Sequence, residues 1–197
     1  MQRRTLNTLR ATALATTVML PGLVWAHTGH DHSFGLGTGF GHPFSGLDHL
    51  LAMLAVGFAT ARMNRHLLTL PLAFIACMVL GGVLGFSGIE LPLVETGIAL
   101  SVLVLGLVML ATRLPLAAGL ALTGLFALFH GHAHGTEMPE GSTALLYFAG
   151  FVTGTLLLHL SGYAVGRLVK QHAPQWLPNA AGASVAGMGA LMLSGLV

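Results

Sequence analysis

The sequence predicts an all-α, polytopic membrane protein, a six-transmembrane-helix bundle left after removal of an N-terminal signal peptide. Three observations point there. Of 197 residues, 54% are hydrophobic and only 7% are charged, whereas roughly a quarter are charged in an ordinary soluble domain. Apolar stretches close to the roughly 20 residues that cross a bilayer recur between turn signals. Every Lys and Arg beyond residue 26 falls in alternate connecting loops, the asymmetry of cytoplasmic loops. The same numbers exclude a nucleic-acid binder, because a formal net charge of +2 from eight basic residues makes no phosphate-tracking face.

Residues 1–26 have the shape of a secretory signal. Arg3, Arg4 and Arg10 make its basic start, Ala11 to Leu20 its apolar core, and Val24-Trp25-Ala26 a small-residue cleavage site after the Pro21-Gly22 break. The core is too short for a span, which favours cleavage after Ala26 over retention as a first helix. Residues 27–42 then form an exposed His/Gly-rich segment. His27, His30 and His32 could gather dilute metal there, while Gly35, Gly37, Gly39 and Gly41 keep the chain flexible.

The six-helix transmembrane domain occupies 43–197, with spans at roughly 43–61, 67–86, 92–111, 115–133, 143–166 and 177–196. Ser87-Gly88, Pro92, Pro115, Pro139-Glu140-Gly141 and Pro174 separate them, and proline suits the first turn of a helix. With the mature N-terminus outside, Arg62, Arg65, Arg113, Arg167 and Lys170 all fall on the cytoplasmic side. Asp31, Glu90, Glu137 and Glu140 fall outside. An even number of spans puts both mature termini outside, on the side away from the cytoplasm. Gly81/Gly85, Gly150/Gly154 and Gly162/Gly166 are small-residue pairs for close helix contact. The lone Cys77 forms no intrachain disulfide.

Ionisable groups inside spans are costly and mark ion or substrate pathways. A first helix beginning at Pro43 buries Asp48 and His49 in the outer half of the bilayer, and leaves His42 about 10 Å from His49 along the axis. One ion then reaches both only if the helix start is irregular. Asp48 and His49 suit a borderline divalent metal, or else form a hydrogen-bonded pair that fixes helix packing; Met53, one turn on, reads as core. The fourth span ends in His130, His132, His134 and Glu137, at the same depth. A helix pairs His130 with His134, and an extended chain aligns all three histidines. Glu95, one turn into the third span, reads equally as part of a metal path or as a structural hydrogen-bonding group. His159 lies far along the fifth span, either an inner relay or a histidine satisfied by the Thr155 hydroxyl. His66 and His172 belong to cytoplasmic loops.

Two motifs resemble the HupE/UreJ family of nickel and cobalt permeases. His-x5-Asp-His is carried by His42, Asp48 and His49 within HPFSGLDHLLAM, and Phe-His-Gly-x-Ala-His-Gly-x-Glu by His130, His134 and Glu137 within FHGHAHGTE. The stretch VETGIALSVLVLGL around Glu95 is also similar, and the resemblance runs over the whole mature chain. It implies uptake of a divalent ion, nickel or cobalt, through those histidines and acids, and a functional link to hydrogenase, urease or cobalamin systems. His132 stands at a variable motif position. The expected ligand is the transported Ni2+ or Co2+, with no catalytic cofactor and no nucleic-acid partner. No Gly-rich ATP-binding loop is present, so the membrane potential or a proton gradient would drive accumulation. The competing readings are a membrane-embedded zinc-dependent hydrolase, since His, Asp and Ser within helices also hold a catalytic zinc, and a metal sensor, for which no cytoplasmic segment is long enough.

Overall fold

Proline, glycine and short polar loops set the helix ends seen in the computed structural model, which describes residues 35–111 and 113–197. The signal segment and His27, His30 and His32 lie outside the described residues. Within them the chain forms seven α-helices and no strand: α1 Leu36–Gly41, α2 Leu47–Arg62, α3 Thr69–Phe86, α4 Val94–Leu110, α5 Leu116–Thr136, α6 Ala144–His172 and α7 Trp176–Leu193. A 3-10 turn, His42–Phe44, joins α1 to α2.

That junction departs from the continuous helix expected from Pro43. Pro43, without an N–H, opens the 3-10 turn, and the Ser45 hydroxyl closes it on the His42 carbonyl at 2.6 Å. Gly46 is extended (φ −106°, ψ 133°), so the ladder stops and restarts, and the two helical pieces meet at 82°. Residues 36–41, expected within a flexible exposed segment, are instead helix α1, packed on α6 with Gly39 buried.

Helices α3, α5 and α6 are long and apolar enough to cross a membrane, and α1 with α2 makes a fourth, broken candidate. Helix α4 is apolar but has 17 residues, while α7 carries Pro178 and Asn179 in its first turn. At 1.5 Å per residue the 29 residues of α6 extend about 43 Å, beyond a hydrocarbon core of about 30 Å. Its last turns carry Arg167, Lys170 and His172.

Glycine sets how closely the helices approach. A Cβ on Gly131 of α5 would overlap the Met78 carbonyl of α3, and one on Gly81 of α3 the Leu128 carbonyl of α5. Gly57 and Gly162 bring α2 and α6 together in the same way, and Gly150 seats α1. All three glycine pairs read from the sequence face a partner helix. In lipid, where van der Waals packing rather than hydrophobic transfer holds helices together, such backbone approach is the main adhesive. Around it Phe74, Met78, Met53, Val102, Leu105 and Phe151 form the core.

One end of the bundle is basic. There Arg62 donates to Asn179 and to the Leu110 carbonyl, Arg65 donates to the Leu114 carbonyl, and Lys170 reaches Asn64. These bonds tie the ends of α2, α4, α6 and α7 together. Glu95, Glu137 and the histidine motifs gather at the opposite end.

Candidate metal centre

The break before α2 positions the centre. By placing His42 on the 3-10 turn and His49 in the first turn of α2, it folds both onto His134 of α5, with ring centroids 4.5 and 4.3 Å from the His134 ring. His130, one helical turn before His134, lies 4.7 Å from His49. The irregular helix start thus brings His42, about 10 Å from His49 on a continuous helix, into one cluster with the other three imidazoles. Helix α5 stays regular through Thr136, so the helical pairing of His130 with His134 holds. His132, two residues round the helix, points the other way. It donates from Nε2 to the Ile89 carbonyl at 2.8 Å, and the structure does not bring it to the cluster.

Hydrogen bonds fix which ring nitrogens carry a proton and which keep a free lone pair. Asp48 Oδ1 accepts both the His49 backbone N–H (2.7 Å) and its Nδ1–H (2.9 Å). That leaves the Nε2 lone pair of His49 buried and without a protein partner. The Ser101 hydroxyl donates to the Ile98 carbonyl (2.6 Å) and therefore accepts Nε2–H of His130 (2.7 Å), leaving Nδ1 of His130 buried and unpartnered. His134 has neither nitrogen bonded, and both His130 and His134 are wholly buried. An unsatisfied buried polar group costs about 1–3 kcal/mol. Buried lone pairs of this kind are donors suited to a Lewis acid. A carboxylate that fixes a histidine tautomer and makes the ring more basic is a recurring partner of metal-bound imidazole.

Acidic groups line the approach. Glu137 Oε2 lies 3.2 Å from His42 Nε2, and ligand atoms of His42, His134 and Glu137 lie within 4.8 Å of one another, close enough to converge on one ion. A cavity of about 210 Å³ opens here, lined by His42, Asp48, His49, Glu95 and Glu137. The structure thus brings seven expected residues to one place: His42, Asp48, His49, Glu95, His130, His134 and Glu137. Imidazole and carboxylate donors together suit borderline divalent ions such as nickel, cobalt or zinc.

His159 lies apart from the cluster, wholly buried, with neither ring nitrogen partnered. The Thr155 hydroxyl, the expected local partner, faces the Met78 sulfur at 3.8 Å instead. Three further residues take part that the motifs did not reveal. Tyr147 OH contacts Nδ1 of His42 at 3.1 Å, Ser101 holds His130, and the Phe151 ring packs 3.9 Å from His134. Tyr147 is one of two tyrosines in the chain, and Ser101 is the single serine of α4. Those rarities are the only local signals either residue gives.

A family model described as "HupE / UreJ protein" matches residues 14–192. The chain is 44% identical over 188 residues to "Protein HupE" of Rhizobium leguminosarum bv. viciae, covering 94% of this chain and 98% of that protein. No solved structure matches significantly. With the family model covering most of its length and a relative this similar end to end, the chain belongs to the HupE/UreJ family.

Proposed function

We propose that the protein takes up a divalent transition-metal ion, nickel or cobalt, across the bacterial cytoplasmic membrane without ATP. The observation that carries this reading is the cluster of buried, unpartnered imidazole nitrogens from His49, His130 and His134 at the acidic end of the bundle. In the proposed topology the signal peptide is cleaved, six helices span, and the basic end faces the cytoplasm, as the Lys and Arg bias requires. Helices α4 and α7 complete the six, and both mature termini are periplasmic. The cluster then opens outward.

An ion approaching from outside meets Glu137 and Glu95, whose charge compensates the loss of hydration. It then exchanges water for His42, His49, His130 and His134. Asp48 orients His49, Ser101 orients His130, and Tyr147 holds His42. An inward-negative potential favours entry of a divalent cation by about 4.6 kcal/mol per 100 mV, twice the single-charge value. A zinc-dependent hydrolase would instead keep a stoichiometric zinc through purification, because its metal must stay fixed to activate water. The ion is cargo in this account, and a link to a nickel or cobalt enzyme of the cell follows from that cargo.

The test is accumulation of radioactive nickel and cobalt in cells expressing wild type, His49→Ala or His130→Ala. Uptake by wild type alone is expected. Equal uptake by all three, above the empty vector, would remove the site assignment. No uptake by wild type present in the membrane would remove the function.

A further inference from the structure

One buried aromatic ring lies against both the outer cluster and a histidine outside it. Phe74 of α3, wholly buried, has its ring centroid 5.8 Å from that of His130 and 5.0 Å from that of His159. Helix α3 and helix α6 are in register here. Phe74 faces His159, and one turn along each helix Met78 faces Thr155, whose hydroxyl donates to the Met78 sulfur.

Depth follows from helix rise. Gly57 of α2 lies against the His159 carbonyl, eight residues beyond His49 and five before Arg62. At 1.5 Å per residue His159 is about 12 Å deeper than His49 and about 7.5 Å short of the basic end. Its backbone thus lies deeper than the outer cluster, where it is well placed to receive an ion next.

An imidazole with both nitrogens buried and unpartnered is poor packing, because a leucine there would leave no unsatisfied polar group. Imidazole is, however, a good donor for borderline transition metals such as nickel, cobalt or zinc. Resting on the transport reading above, we propose that His159 is a second, inner stopping place for the metal ion, and that the Phe74 ring partitions it from the outer cluster. Two stations separated by an apolar ring let an ion move inward in two short steps, neither of which requires it to stand unliganded across the whole bundle.

The test uses the full-length protein in lipid nanodiscs for binding and in proteoliposomes for flux, with Co2+ as the probe. Wild type should bind cobalt in two classes of site and transport it. His159→Leu should fold, shown by an unchanged or raised unfolding temperature, keep the outer class, lose the inner one, and lose at least about tenfold in flux. His159→Met, which restores a soft donor, should recover part of that flux. His49→Ala should do the converse in binding, losing the outer class while His159 still holds cobalt. If His159→Leu transports at the wild-type rate, or if leucine and methionine behave alike, His159 serves packing and the inner station is wrong. If wild type itself neither binds nor moves cobalt or nickel, it is the transport reading that fails, a separate outcome.

Discussion

Replacing Asp48 by asparagine preserves the size of the side chain and removes the charge that holds the His49 ring. Asp48 Oδ1 takes two hydrogen bonds from His49, one from the backbone and one from Nδ1. An amide also offers an N–H to Nδ1, which would move the ring proton to Nε2 and occlude the lone pair facing the cluster. Loss of such an orienting partner costs about 10- to 100-fold in metal affinity, or about 1.4–2.8 kcal/mol. The Asp48 side chain is 29% exposed, so water replaces part of what it gives, and the lower end, about tenfold, is expected. Equilibrium binding of radioactive nickel to the protein in nanodiscs measures it. The decisive arm repeats the substitution in a His49→Ala background, where Asp48→Asn should cost little because its target is gone. Equal losses in both backgrounds would show Asp48 to be an ion ligand in its own right and would refute the orienting role.

Other expectations follow from the same contacts. Gly131→Ala places a methyl group on the Met78 backbone carbonyl, so it should lower the unfolding temperature, at a cost of about 1–3 kcal/mol or more, and weaken nickel binding by moving His130 and His134. Gly187→Ala, with nothing within 4 Å of the new methyl group, should leave both unchanged. Tyr147→Phe keeps a buried ring but frees His42 Nδ1, so stability should fall by no more than about 1 kcal/mol while nickel affinity drops several-fold in the same binding assay. In a Cys77→Ala background, Glu140→Cys should react with a membrane-impermeant maleimide on intact spheroplasts, and Arg113→Cys only after permeabilisation. The reverse pattern would invert the topology.

Helix positions were legible because their signals are local. Pro115 precedes α5, Pro174 precedes α7, and the Gly81, Gly150 and Gly162 pairs each present a backbone-close face that the fold uses. Cluster membership was legible in residue type, and the rejection of His132 follows from helical rotation. The meeting of His42 with His49 was not legible. It depends on Gly46 adopting an extended conformation and on α1 packing against Gly150 and Gly154 of α6, contacts more than a hundred residues away in sequence. Tyr147 and Ser101 reach the site across 105 and 29 residues, distances at which periodicity carries no information. His159 looked locally satisfiable by Thr155, and only the opposing helix, with Met78 competing for that hydroxyl, removed the partner.

Whether imidazoles of both motifs hold one ion together is read by X-ray absorption at the nickel edge on the metal-loaded protein in lipid, because bound imidazole gives a distinctive multiple-scattering pattern. Several imidazoles are expected on the nickel in wild type, with fewer in His49→Ala and in His134→Ala alike, since the two motifs would share the ion. A sphere of oxygen donors alone, or a spectrum unchanged by either substitution, would contradict that sharing.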